Sequence, residues 1–295
     1  MRKFVILSIV ILVLHVFTFS CLADDELQTM INSTVKKFNQ FSYGETGNRI
    51  SCNLFLPEGY PGSNRYPLVV FIGDESTMGT EIDAPLKQGY GGVIWASDPE
   101  QQKHKSLVLV PQFPDNNPQK YQGITENLIR AIISSFQVDT NRVYVTGQSM
   151  GCTMLMNIAN DYPDLFAGEL FVAGQSDLQD VKGLIRQQFI HVVAAGDSQA
   201  VKAQQSLMGK IFSQGVSISR AFEWSAKLTQ DEFMKALNVV ISGSTSAKFI
   251  RFLKGTVLPE GVKDGDEHKY SFDAAYRIDA LRDWLFLQNK HNKRK

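Results

Sequence analysis

The sequence predicts an α/β fold, a mostly parallel central sheet with helices on both faces, and three observations carry that expectation. Short apolar runs rich in β-branched and aromatic residues, such as Leu68 to Ile72 and Val143 to Thr146, lack the polar alternation of a half-exposed strand. Amphipathic stretches with helical periodicity fall between them, and turn residues separate the two kinds of segment. The composition agrees: of 295 residues 43% are hydrophobic and 20% charged, which excludes collagen-like, disordered and coiled-coil chains.

The N-terminus is read as an address. Arg2 and Lys3 precede an apolar run from Phe4 to Leu14 that continues loosely through Phe19, the pattern of a secretory signal peptide. The fully apolar part is short for a bilayer-spanning helix, and His15 and Thr18 dilute its far end. Cys21-Leu22-Ala23 offers small residues for cleavage before Asp24; the rival reading is acylation of Cys21 within Thr18-Phe19-Ser20-Cys21. The expectation is a signal peptide over 1–23, a single domain over 24–295, and a secreted or periplasmic protein away from membranes unless Cys21 carries lipid.

Element by element, a polar lead-in from Asp24 to Gln40 precedes a strand from Ile50 to Leu56, closed by Pro57-Glu58-Gly59-Tyr60-Pro61-Gly62. Leu68 to Ile72 is a strand buried on both faces, and Leu107 to Val110 is another, ended by Pro111. Helical periodicity runs from Asn127 to Phe136 and stops before Val138-Asp139-Thr140-Asn141. Val143 to Thr146 is the next strand and Ser149 to Ala159 a helix with an apolar face. Glu169 to Ala173 and Phe189 to Ala195 are strands; Ala203 to Phe212 and Asp231 to Val239 are helices. Lys248 to Leu253 is the last strand and Ala274 to Gln288 a closing helix. The segment 200–248 is too long for one crossover and is read as a candidate excursion over the site. Strands alternating with helices at this spacing make βαβ units.

Charge and cysteines narrow the function. Thirty Lys and Arg against thirty Asp and Glu give a net charge of zero, without the basic surplus of a nucleic-acid binder. Three cysteines without a CxxC pair suggest neither a disulfide scaffold nor a zinc site. Cys52 and Cys152 could pair in an oxidising compartment, but each sits in an apolar element, where a buried free thiol is the plainer reading.

One motif carries chemistry. Gly147-Gln148-Ser149-Met150-Gly151 is GxSxG between a predicted strand and a predicted helix, the setting of a nucleophile elbow. The turn is so sharp that the flanking glycines must lack side chains, and the serine is held strained with its hydroxyl clear of the sheet. The Met150 amide then points at a developing oxyanion. A serine hydroxyl needs a base oriented by a carboxylate, in the chain order Ser, Asp or Glu, His. His15 leaves with the signal peptide, His104 precedes the serine, His191 lies inside an apolar strand, and His291 is in a basic tail. His268, in a loop between the last strand and the last helix, remains as the base. Asp197, at the carboxyl end of the strand from Phe189, is the leading acid, with Asp177, Asp180, Asp264 and Asp266 as rivals.

The stretches LFLPEGYPGSNRYPLVVFI, WASDPEQQKHKSLVLVPQFP, NRVYVTGQSMGCTMLMNIANDYPDLFAGELFVAG and EHKYSFDAAYRIDALRDWLF resemble secreted bacterial α/β-hydrolases. The similarity is to the group of polyhydroxybutyrate depolymerases, feruloyl and acetylxylan esterases and prolyl-oligopeptidase-like peptidases. It covers most of the chain, least of all 200–248, and implies an α/β-hydrolase fold with Ser149 as nucleophile and His268 as base. The chain departs from that group twice. Where relatives read F-L-H-G-x-G, it has Phe71-Ile72-Gly73-Asp74-Glu75, leaving the Glu75 amide as the second oxyanion donor and placing two carboxylates nearby. Relatives also place the acid three residues after a glycine, where this chain has Gln199, whereas Asp197 directly follows Gly196.

The expected function is a secreted serine hydrolase acting on a small or polymer-borne carboxylic ester, through Ser149, His268 and Asp197, with the Met150 and Glu75 amides as oxyanion donors. No metal or organic cofactor is expected. Trp95 and Tyr90 are candidates for an aromatic substrate wall. Two alternatives stay open: a peptidase using the same triad, and a non-catalytic binding protein on a hydrolase scaffold.

Overall fold

The computed structural model describes residues 25–45, 48–243 and 245–291. The expected signal peptide, with Cys21, lies outside the described residues.

A helix over 25–34 (α1) leads through a 3-10 turn to β1 (Asn39–Glu45) and β2 (Asn48–Phe55). Next come β3 (Tyr66–Ile72), the short helices α2 (Ala84–Lys87), α3 (Tyr90–Val93) and α4 (Asp98–Lys103), and β4 (Leu107–Gln112). They are followed by α5 (Pro118–Ser135), β5 (Val138–Gln148), α6 (Met150–Asp161), β6 (Gly168–Val172), β7 (Phe189–Ala194) and α7 (Ser198–Ser213). The chain closes with β8 (Ile218–Trp224), α8 (Gln230–Ile241), β9 (Ala247–Phe252), α9 (Glu267–Tyr276) and α10 (Asp279–Phe286). Among the described residues the strands form one nine-stranded sheet in the order β1-β2-β4-β3-β5-β6-β7-β9-β8. β2 runs antiparallel to both β1 and β4, and every other neighbouring pair is parallel.

The buried strands feed two cores because successive side chains leave opposite faces of a sheet. On β3, Val69 and Phe71 join a core with α8, α9 and α10 side chains such as Phe233, Tyr276 and Trp284. Leu68, Val70 and Ile72 join the other, against Leu128 and Ile132 of α5, Leu155 and Ile158 of α6, and Leu207 of α7. Each such fully buried side chain contributes about 1.5–3 kcal/mol by leaving water. The α/β expectation is met, with helices on both faces.

Several boundaries differ from expectation. β4 continues through Pro111, which pairs in register with Cys52 of β2, while β3 covers only Leu107 to Leu109 on the other side. α5 begins earlier, with Pro118 at its first turn and the Asn117 side chain accepting from the Lys120 amide. Val138–Asn141, before which the helical periodicity stops, is already part of β5. The closing helix is two helices: the backbone is extended at Ile278 (φ −81°, ψ 104°), and the Arg282 guanidinium donates to the Tyr276 carbonyl beside the break. The segment 200–248 is no excursion over the site: it adds β8 outside β9, with most of α7 before it and α8 after it. Cys52 and Cys152 are free and buried; burial pushes the Cys52 thiol up to about 12 and raises that of Cys152 further.

Candidate active site

Ser149 stands between β5 and α6 with φ 51° and ψ −116°, a left-handed conformation that costs a non-glycine residue of order 1–3 kcal/mol. Its neighbours hold it there. A Cβ on Gly147 would lie 2.9 Å from the Gly151 carbonyl carbon, and one on Gly151 would lie 2.3 Å from the Ile72 carbonyl oxygen and 2.5 Å from that of Gly73. The glycines thus serve two close approaches, between the arms of the elbow and between the elbow and the end of β3. The Ser149 amide donates to the Val172 carbonyl at 3.0 Å, anchoring the turn to β6.

His268 is the second residue of α9, in its first turn rather than in the preceding loop. Its Nε2 lies 2.8 Å from Ser149 Oγ and its Nδ1 2.5 Å from Asp197 Oδ2. The ring is edge-on to Phe272, with centroids 5.1 Å apart, and Gln175 Nε2 lies 3.4 Å from Nδ1. Asp197 caps α7, its Oδ1 accepting from the Ala200 amide at 2.9 Å. Burial opposes its charge, but His268 and the Ala200 amide outweigh that and hold the carboxyl below its ordinary value. The carboxylate therefore stays ionised through neutral pH.

The structure thus brings together Ser149, His268 and Asp197, all beyond the carboxyl ends of parallel strands. The rival acids lie elsewhere: Asp177 accepts from Lys210, Asp180 accepts from the Lys182 amide, Asp264 is exposed, and Asp266 caps α9. His104 bonds Asp283 and stacks on Phe286. His191 is buried in β7, where desolvation lowers it to about 3 and keeps it neutral.

Of the two expected oxyanion donors, Glu75 lines the cavity at Ser149 and Met150 directly follows Ser149. Met150 opens α6, so its amide belongs to the free N-terminal donors of a helix. Glu75 opens the 3-10 turn Glu75–Thr77, whose own bonds use the amides of Ser76, Thr77 and Met78 and leave the Glu75 amide out. The two nearby carboxylates are both engaged. Asp74 accepts from Ser76 and Gln88, and Glu75 accepts from Asn116 Nδ2 at 2.8 Å.

Trp95 and Tyr90 are not a substrate wall. Gly91 and Gly92 let their segment pack so tightly that Cβ atoms there would meet the rings of Phe71 and Tyr276 and the Pro85 carbonyl. Both aromatics are drawn into the core, Trp95 edge-on to Tyr276. The cavity at Ser149, of ≈ 380 Å³, is instead lined by Asp74, Glu75, Ser76, Asn116, His268 and Lys269.

One contributor had no sequence signal. Glu267, buried beside His268, accepts from the Gly196 amide at 3.1 Å and the Gly255 amide at 2.9 Å. It ties the loops after β7 and β9 to the helix that carries the histidine. A Cβ on Gly196 would fall within 2.1 Å of that carboxylate, so the glycine before Asp197 is required by packing. Among the described residues, no group of three or more His, Cys, Asp or Glu side chains could hold a metal ion.

Comparison with known proteins agrees with this architecture. A family model named Esterase, described as "Putative esterase", matches residues 44–230. The curated protein "Probable acetylxylan esterase A" of Aspergillus clavatus is 25% identical over 150 residues, 46% of this chain and 42% of that protein. A solved thermostable esterase superposes with a TM-score of 0.70 at 23% identity, covering 87% of this chain and 64% of its own. A feruloyl esterase module from Clostridium thermocellum, solved with sinapinate, gives 0.53 at 13%, covering 84% and 87%. The chain thus spans under two thirds of the fungal relative and of the thermostable esterase. With well over half of its length matched by the model and its sheet, elbow and strand-end loops arranged as described, the chain belongs to the Esterase family and has the α/β-hydrolase fold.

Proposed function

We propose that this protein hydrolyses carboxylic esters through a covalent acyl intermediate on Ser149. The observation that carries the reading is the relay Asp197 Oδ2, His268, Ser149 Oγ, with links of 2.5 and 2.8 Å. His268 Nε2 takes the hydroxyl proton as Oγ bonds to the ester carbonyl carbon, and the Met150 and Glu75 amides receive the oxyanion. The intermediate collapses, the alcohol leaves with the proton from His268, and the acyl group stays on Oγ. Water then repeats the sequence, releasing the acid and restoring the serine. Ionised Asp197 keeps the imidazole in the tautomer that accepts at Nε2 and stabilises its cation.

The cleft also supports a substrate class. The side chains that line it are polar or charged, Asn116 and Lys269 among them. Such a surface matches the hydroxyls of a sugar-like alcohol bearing a short acyl group better than an aromatic acyl group, which needs apolar walls. An acetylated polysaccharide of the kind named for the fungal relative fits it. Export accompanies this reading, supported by the Arg2-Lys3 start and the apolar run from Phe4. N-terminal sequencing of exported protein gives Asp24 if cleavage follows Ala23, and a blocked Cys21 if it is acylated.

The test is hydrolysis of p-nitrophenyl acetate, p-nitrophenyl ferulate and acetylated xylan by wild type, Ser149→Ala and Asp197→Asn. Ser149→Ala loses about 10⁴-fold or more. Asp197→Asn keeps its KM and loses on the order of 10³ to 10⁴ in kcat. Ser149→Ala with a tenth of wild-type activity excludes this mechanism, and a preference for the ferulate excludes the substrate class.

A further inference from the structure

The turn that carries Glu75 is fixed by an unusual grip on one residue. At its base, the Ile72 and Gly73 carbonyls approach Gly151 so closely that a side chain there would clash with both. At its tip, everything converges on Asp74, buried and extended (φ −85°, ψ −178°). Its Oδ1 accepts from the Ser76 amide at 2.8 Å, from Ser76 Oγ at 2.7 Å, and from Gln88 Nε2. Its carbonyl accepts from Thr77 Oγ1 at 2.8 Å, and its amide donates to Gln88 Oε1 at 3.4 Å. Gln88, just beyond α2, therefore holds both the carboxylate and the amide of Asp74.

That grip sets a direction. In an extended residue, successive amides project to opposite sides of the backbone. With the Asp74 amide turned to Gln88, the next one, on Glu75, is turned away from Gln88, while Glu75 lines the cavity shared with Ser149 and His268. The three donors on Oδ1 also offset the negative charge that would otherwise oppose an oxyanion nearby.

We propose that Asp74 and Gln88 are a positioning pair that aims the Glu75 amide at the oxyanion formed at Ser149. The proposal rests on the Ser149 mechanism above. Neither side chain transfers a proton or touches the acyl group; each acts through Glu75. The interaction they prepare exists only in the transition state, so their loss lowers kcat and leaves KM nearly unchanged.

The test compares Asp74→Ala, Asp74→Asn and Gln88→Ala with wild type and Ser149→Ala, using p-nitrophenyl acetate and a trifluoromethyl ketone whose adduct with the serine is itself an oxyanion. Asp74→Ala should lose about 10² to 10³ in kcat, the value of one oxyanion donor, and Gln88→Ala about tenfold. Asp74→Asn keeps an acceptor for Ser76 and recovers most of the rate. The ketone's inhibition constant rises in proportion to the fall in kcat/KM across the series, which a general loss of stability does not produce. Thermal melts accompany each variant, and Gln88→Ala, at a half-buried position, decides the matter if Asp74→Ala loses its fold. Wild-type kcat in both alanine variants, with Ser149→Ala inactive, overturns the positioning pair alone; an active Ser149→Ala overturns the mechanism beneath it.

Discussion

Gly151→Ala should disturb the oxyanion site and the elbow without altering the identity of any reacting side chain. The new methyl carbon would sit 2.3 Å from the Ile72 carbonyl oxygen and 2.5 Å from that of Gly73, where ordinary contact begins at 3.4 Å. Relief requires a shift of about 1 Å. β3 cannot supply it, because it is hydrogen-bonded between β4 and β5 and Ile72 is in register with Gly147. The elbow must move instead, carrying Met150 away from Glu75 and Ser149 away from His268. A misplacement of 1 Å costs about 10²-fold in rate, and overpacking of this kind costs typically 1–3 kcal/mol of stability. Urea unfolding followed by circular dichroism gives the second quantity, and kcat and KM for p-nitrophenyl acetate give the first. A variant within about threefold of wild-type kcat would refute the claim that this spacing sets the geometry of catalysis.

Other substitutions probe the helices, the loop tie and the buried histidine. Gly123→Ala in α5 and Gly209→Ala in α7 place a Cβ in open space on exposed helix faces, so each should raise stability by roughly 0.5–1 kcal/mol in the same unfolding assay. Glu267→Gln presents an amide donor to the Gly196 or Gly255 amide, which should cost about 1–3 kcal/mol in a melt and loosen the Asp197–His268 alignment enough to lower kcat about tenfold or more. His191 is held neutral, with its value lowered to about 3. The unfolded chain protonates near 6.5 and the folded one does not, so stability is full above 6.5 and lost as pH falls. The loss between pH 7 and 5 comes to about 2 kcal/mol, and unfolding of His191→Leu at the two pH values should show that much less dependence.

How far the sequence reveals the protein depends on how strongly burial marks a residue. β3, β7 and the second half of β5 are legible because both faces are buried and the runs are almost continuously apolar. β1 and β8 are not: Asn39–Glu45 and Ile218–Trp224 lie at the two edges of the sheet and carry polar or half-exposed side chains along most of their length. That is why 200–248 reads as an excursion over the site. Ser149 is legible because its turn needs glycines, and His268 by elimination among five histidines. Asp74, Gln88 and Glu267 have no such mark, since a carboxylate that grips backbone amides has the same letter as one in solvent. Trp95 and Tyr90 mislead because aromatic residues near a site serve packing as readily as binding, and the contacts at Gly91 and Gly92 decide between them only in three dimensions.

Everything proposed for the cleft depends on Ser149 being a nucleophile activated by His268. Treating the protein with a fluorophosphonate and mapping the modified peptide by mass spectrometry tests that dependence directly. A single modification on Ser149, lost in His268→Gln, is the expected result. An unmodified Ser149 in a protein that still hydrolyses p-nitrophenyl acetate would contradict it.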